Sequence, residues 1–345
     1  MRNPGDCDPH IEKMKLRDVA VRAKVSVATV SRVLNDSGLV KSSTRTRVLR
    51  VAHELHYHQN LLARNLAKGE NRCLGLVASN LENPFFLDIL VSLESSARMR
   101  GYEVVVANTN YLPSELASSV RLMIGRRVAG LALIATETNA ALFHELEESG
   151  LPVVVYGAGA AAGNVSTINT NYLNGMHKVV KYLRSLGHRR LAFVGRHLAV
   201  GSALERKKAF LDVIRHFPEV EYTVVADDDG PHGGQQATSQ LLASGFRPTA
   251  IISANDYIAL GVLTALREHS LRVPEAVSVT GHDNFTFSEF AYPALTTLDI
   301  SRKQIGHMVF EALVADDGEC QRGGRTFLID PELVVRESTG PVRPQ

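Results

Sequence analysis

A chain of 345 residues is too long for one ordinary core and suits two or three domains. Its 45% hydrophobic and 21% charged residues are ordinary globular composition, which argues against wholesale disorder. The net charge of +2 is unevenly spread: residues 1–70 hold 13 Lys/Arg against 7 Asp/Glu and the remainder holds 25 against 29, so a basic head suited to a polyanion precedes an acidic body.

The opening stretch MRNPGDCDPHIEKMK has no apolar h-region, so a disordered tail over residues 1–14 is expected rather than a signal peptide. From Lys15 the spacing becomes helical, with Leu16, Val19, Ala20 and Ala23 at i, i+3, i+4 and i+7. Lys24-Val25 breaks this helix. Ser26 is placed to cap a second one, whose Val30, Val33 and Leu34 face inward. Asn35-Asp36-Ser37-Gly38 is a stop. Ser42-Ser43 then offers a cap for a third helix with Val48, Val51, Ala52 and Leu55 inward. Three short helices with a tight first turn predict a helix-turn-helix over residues 15–59.

In such a head the second helix reads DNA. Val27, Ala28 and Arg32 point outward on it as base-reading candidates. Arg is the commonest bidentate partner of guanine, whereas Val and Ala offer apolar contact, for example to a thymine methyl. Ser26, Thr29, Ser31 and Asn35 are short polar groups suited to phosphate oxygens. Residues 15–68 carry 11 Lys/Arg against 3 Asp/Glu, an excess that a plain bundle does not need.

The run LRDVAVRAKVSVATVSRVLNDSGLVKSSTRTRVLRVAHELHYHQNLLARNLAKG resembles the head of the LacI/GalR family of bacterial regulators. DVA, VS-x-x-TVSRVLN, Tyr57 and NLLARNL carry the likeness, which continues to about residue 340. It implies that Val27, Ala28 and Arg32 choose the operator and that Tyr57 joins the backbone contacts. It also implies a hinge within residues 60–70 that forms a helix on DNA, placing Asn60, Ala63, Arg64 and Leu66 in the minor groove with Leu66 as the wedge. Eight residues, Asn60 to Ala67, are too few for a stable free helix, so coupling to DNA follows. Gln59 departs from the family's usual proline and removes a rigid helix start.

After Arg72 strands and helices alternate. CLGLVAS, YEVVVANT, GLALIAT and LPVVVYG read as strands, with helices FFLDILVSLESSARMRG, LASSVRLMIGRR and LFHELEESG between them. The rhythm restarts at MHKVVKYLRSLGHRRLAFVG and continues through TAIISAN and AVSVTGHD. This predicts two doubly wound parallel-sheet lobes with a cleft between them. With the resemblance, the expected fold class is an all-α helix-turn-helix head plus an α/β periplasmic-binding-protein-like body over residues 71–340. The first lobe spans about 71–170 and 301–327, the second about 171–300 and 328–340, with crossings near Asn171, Ile300 and Phe327.

Strand ends and the resemblance nominate the cleft residues. Phe85 and Phe86 follow Asn83-Pro84, match the family's NPFF loop and offer an apolar face; the resemblance places Arg206 where the family keeps an arginine that grips ligand oxygens with its planar fork; Asn255 and Asp283, at the ends of later strands, offer hydrogen bonds to hydroxyls. Each has a bland alternative as a helix cap or packing residue. Arg206 and Asp283 are expected to hold a ligand between them across the closed cleft. Thr170 stands where the family often has aspartate, and Asp229 where an aromatic often stacks.

Other signals are weaker. Gly157, Gly159 and Gly163 follow a strand, but Asn164–Ile168 reads as another strand rather than the helix a dinucleotide site needs. His53, His56 and His58 sit at a helix end, and Asp227, Asp228 and Asp229 read as a solvated turn, so no metal is expected. Cys7, Cys73 and Cys320 lie far apart, without metal or redox spacing, and an odd count suits a reducing cytosol. No apolar run reaches about 18 residues, so no membrane span is expected. G-x-S-x-G, H-E-x-x-H and Walker motifs are absent, so neither an enzyme nor a cofactor is expected. The expectation is a cytoplasmic, nucleoid-associated homodimer on a palindromic operator of double-stranded DNA, controlled by a small molecule. A sugar is the first choice and a nucleobase or other metabolite the alternative; a solute-binding transport protein is the reading from a different class.

Overall fold

The computed structural model describes residues 16–35, 40–57, 71–135, 138–157, 161–197, 201–314 and 323–343. The chain divides into two compact units, Met1–Asn71 and Arg72–Gln345.

In the first unit, helices α1 (Leu16–Ala23), α2 (Val27–Leu34) and α3 (Ser42–Glu54) close around a small core. That core is Val19, Ala20, Ala23, Val30, Val33, Val48, Val51 and Ala52, the stripes that the 3.6-residue period picked out. Small side chains on α1 let the three short helices approach closely. The break between α1 and α2 holds Lys24 at φ 53, and the Val25 amide returns to the Ala20 carbonyl at 3.0 Å. Ser26 caps α2, its Oγ accepting from the Thr29 amide at 3.1 Å. One expectation changes: Ser42 is already helical, and Lys41 is the cap of α3, with no side-chain cap bond.

The second unit has two parallel sheets. The first comprises β1 (Cys73–Ala78), β2 (Glu103–Asn108), β3 (Gly130–Ile134), β4 (Val153–Tyr156), β5 (Val165–Thr170) and β11 (Thr326–Ile329), in the order β11-β5-β4-β3-β1-β2. The second comprises β6 (Arg190–Arg196), β7 (Glu221–Asp227), β8 (Ala250–Ser253) and β9 (Ser278–Thr280), in the order β7-β6-β8-β9. All pairings within both sheets are parallel. Continuous apolar strands such as Gly130–Ile134 and Val153–Tyr156 are buried along their whole length, which requires helices on both faces.

Those helices are α4 (Pro84–Met99), α5 (Pro113–Gly125), α6 (Ala140–Glu148) and α12 (Arg302–Leu313) around the first sheet. Around the second are α7 (Tyr172–Ser185), α8 (Gly201–Ile214), α9 (Gly230–Ala243) and α10 (Asp256–Glu268), with the short α11 (Thr286–Phe290) beside them. The chain crosses between lobes after Thr170 and again at Ile300, before α12. The third crossing comes later than expected, because β11 stays in the first sheet through Ile329 before β12 (Glu332–Val334) pairs antiparallel with β10 (Thr297–Asp299). One loop of the second lobe reaches across: Phe285 is buried in the first lobe's core with Phe86, Ile89 and Ile305.

Candidate functional site

In the head, Val27, Ala28 and Arg32 are all exposed, Val27 by 44%. They occupy the face of α2 opposite the buried Val30 and Val33, as the periodicity predicts. Ser26 is exposed, but its hydroxyl is engaged as the cap and also meets Thr29 Oγ1 at 2.9 Å. Ser31 and Thr29 are half-buried, and Asn35 Nδ2 donates to Ser31 Oγ at 3.2 Å. Tyr57 packs against the head's core at the end of α3. Asn60, Ala63, Arg64 and Leu66, and Gln59 before them, lie outside the described residues.

In the body, the C-terminal ends of both sheets open on one cleft. Ile134 and Ala135 come from the end of β3, Tyr156 and Gly157 from β4, Arg196 from β6 and Asp229 from the turn after β7. Ala254 and Asn255 follow β8, and Asp283 follows β9. Parallel sheets place ligand groups there because loops, rather than covering helices, meet at that edge. The empty volume is about 620 Å³, counted with the part open to solvent.

Phe85 and Phe86 form one wall. Their rings meet edge to face at 5.2 Å, and Phe85 also packs on Tyr156 at 5.3 Å. Both are nearly buried, so their ring faces are partly core and partly cleft. Asn255 unites its two readings: Oδ1 caps α10 by accepting from the Ile258 amide at 2.7 Å, which turns Nδ2 toward Asp229 at 3.3 Å. Asn83 does the same from the first lobe, capping α4 through the Phe85 amide at 3.0 Å and offering Nδ2 to Asp229 at 3.4 Å.

Glycines set the spacing between Asn255 and Asp229. A Cβ on Gly261 would fall 1.9 Å from the Pro231 carbonyl oxygen, and one on Gly234 would fall 2.2 Å from that of Ile258. Helices α9 and α10 therefore touch backbone to backbone, which brings their N-terminal cap residues, Asp229 and Asn255, side by side.

Arg206 and Asp283 are a correction. They do not face each other across the cleft; both belong to the second lobe and bind one another. Arg206 Nη2 donates to Asp283 Oδ1 at 2.7 Å, and Nη1 donates to the Ala254 carbonyl at 2.7 Å. The reason is topological: β9 delivers Asp283 beside α8, not beside the first sheet. His282 Nδ1 meets the same Asp283 oxygen at 2.9 Å. Burial would raise the Asp283 carboxyl, but the Arg206 guanidinium outweighs it and holds the group below its ordinary value. Burial, helped by the Arg206 charge, pushes the His282 ring down to about 4, so it is neutral and Nδ1 carries the donated proton. Arg206 Nε is buried and has no hydrogen-bond partner among the described residues.

The comparisons fit this architecture. Residues 15–60 match the model for bacterial regulatory proteins of the lacI family, and residues 180–339 match the periplasmic binding protein-like domain. The HTH-type transcriptional repressor PurR of Yersinia pestis bv. Antiqua (strain Antiqua) is 31% identical over 334 residues, covering 95% of this chain and 98% of its own. The chain belongs to the LacI family. It is a DNA-binding transcriptional repressor with a helix-turn-helix head and a two-lobed α/β body. PurR of Erwinia tasmaniensis is 32% identical over the same length. Among solved structures, the Lac repressor dimer bound to operator and the anti-inducer ONPF matches with a TM-score of 0.82 and 27% identity, covering 95% of this chain and all of that one. The CelR–cellobiose complex matches with a TM-score of 0.67 and 28% identity, covering 94% and 99%.

Within this LacI-family body, three cleft residues escaped the sequence reading. Tyr111, Arg196 and Tyr156 line the cleft beside Asp229, whose side chain is not part of a solvated turn but is 13% exposed and hydrogen-bonded in the cleft. Tyr156 Oη meets Thr170 Oγ1 at 2.7 Å, so the departure at Thr170 is spent inside the first lobe. Positions at strand ends were a usable signal for Tyr156 and Arg196. Nothing local marked Tyr111, which follows a turn. Among the described residues no group of three or more metal-ligating side chains comes together, and no helix is long and apolar enough to cross a membrane.

Proposed function

We propose that this repressor acts as a homodimer on a palindromic operator in the cytoplasm, and that a neutral, hydroxyl-rich molecule of the sugar class bound between the lobes controls its affinity. The observation that carries the effector class is charge balance in the cleft. Arg196 and Arg206 stand against Asp229 and Asp283, with the polar groups of Asn83, Asn255, Tyr111 and Tyr156 among them. A net anion would meet Asp229 and a net cation Arg196, whereas a polyol can donate to the carboxylates and accept from the arginines. A flat nucleobase is the alternative, and it wants an apolar slab on each side. Phe85 and Phe86 supply one wall; the turn after β7 supplies a carboxylate where the second would stand. The CelR–cellobiose complex, a neighbour of the same fold, supports the sugar class.

The head supplies the operator contacts through Arg32, Val27 and Ala28, with hydroxyls and Asn35 on the backbone. Ligand in the cleft acts by changing the angle between lobes, and the size of the response is bounded by its unequal affinity for the two states. The test is a thermal-shift panel of D-ribose, D-galactose, cellobiose, hypoxanthine and guanine. A cognate ligand at about 100 times its dissociation constant adds roughly 2.7 kcal/mol. Stabilisation by a sugar, with an altered operator affinity, is expected; stabilisation by the nucleobases alone would overturn the effector class.

A further inference from the structure

Asp229 occupies the cap position of α9 yet makes no side-chain cap bond. An aspartate there ordinarily turns back on its own helix. This one turns into the cleft and is the meeting point of both lobes. From the first lobe it accepts the Tyr111 hydroxyl at 3.0 Å and Asn83 Nδ2 at 3.4 Å, both on Oδ2. From its own lobe it accepts Asn255 Nδ2 at 3.3 Å on Oδ1, with Arg196 Nη1 at 3.9 Å from Oδ2. The Arg196 guanidinium also lies over the Tyr111 ring, 4.1 Å from its centroid, so a second-lobe cation grips the same first-lobe side chain.

Tyr111 is held for this role. It and Asn110 are consecutive non-glycine residues at φ 62 and φ 50, a left-handed pair that a bulky residue rarely adopts. Such strain persists where surrounding structure over-determines it, and it gathers at ligand clamps. Burial and then the Asp229 charge push the phenol well above its usual value, so it stays a donor at any working pH.

We propose that Asp229 with Tyr111 and Asn83 latches the two lobes together in the absence of ligand, and that the effector opens this latch by bringing hydroxyl donors of its own to the Asp229 carboxylate. Asp229 is then a specificity-determining residue, and Tyr111 sets the resistance that an effector must overcome. This rests on the placement of the effector in the cleft, but its test needs no effector.

Hydrogen exchange of the ligand-free, full-length protein decides it. Tyr111→Phe keeps the ring beneath Arg196 and removes only the hydroxyl. One lost hydrogen bond should speed opening about three- to tenfold. The expected signature is faster exchange in residues 80–87 and in residues 226–233, which lie on opposite lobes, with α12 unchanged. Asp229→Asn, which weakens the acceptor while keeping the shape, should give the same two-sided pattern. A change confined to residues 108–116, or none, would show that Tyr111 only packs its own turn and would overturn the latch. If no sugar binds, the effector class fails while the exchange pattern stands.

Discussion

The Arg206–Asp283 pair gives the sharpest quantitative test. Both side chains are nearly solvent-free, at 7% and 2% exposure. Replacing Asp283 by Asn keeps the volume and one acceptor oxygen but removes the charge, leaving a buried guanidinium with only neutral partners, the amide oxygen and the Ala254 carbonyl. Breaking a buried pair in this way costs about 3–5 kcal/mol. Arg206→Met should cost a similar amount, because it abandons the Asp283 carboxylate to His282 alone. In the double variant no charge is left unpaired, so the two costs should not add. A coupling of about 2 kcal/mol or more is expected for groups in direct contact. The chain has no tryptophan, so urea unfolding of the ligand-free protein is followed by circular dichroism. Losses under about 1 kcal/mol in the single variants, with coupling below about 0.5 kcal/mol, would refute the pair as a brace of the second lobe and return both residues to ligand contact alone.

Other outcomes follow from the same structure. Arg32→Ala should relax discrimination at one guanine per half-site at a cost of about 1–3 kcal/mol, checked by selection from random DNA; an unchanged preferred site would remove Arg32 from the reading set. His282 should make the body acid-sensitive. Its folded value of about 4 lies below the ordinary 6.5, so the unfolded chain takes up a proton first as pH falls. Stability present above pH 6.5 should therefore decline toward pH 4 by up to about 3 kcal/mol, and His282→Gln should flatten that slope in denaturation curves across the range. Gly261→Ala should destabilise the second lobe by more than about 2 kcal/mol, since the methyl would fall 1.9 Å from the Pro231 oxygen; a normal melting temperature would contradict the backbone contact of α9 with α10.

What the sequence determined by itself was everything with a short period. Val19, Ala20 and Ala23, then Val30 and Val33, fixed the head's helices and left Val27, Ala28 and Arg32 outside, because a helix repeats its faces within two turns. Unbroken apolar strands such as Val153–Tyr156 fixed parallel sheets, strand ends nominated Asn255 and Asp283, and the family resemblance nominated Phe85, Phe86 and Arg206; all five line one cleft. Tertiary structure alone decided who meets whom there. Arg206 and Asp283, 77 positions apart, became partners within one lobe because β9 runs beside β8, not beside the first sheet. Asp229 met Tyr111, 118 positions away, because three chain crossings stack one lobe's loops over the other's. Periodicity carries information over a few residues. A contact between two loops depends on the order of strands in each sheet and on the close approach of α9 and α10, and neither is written in the residues that touch.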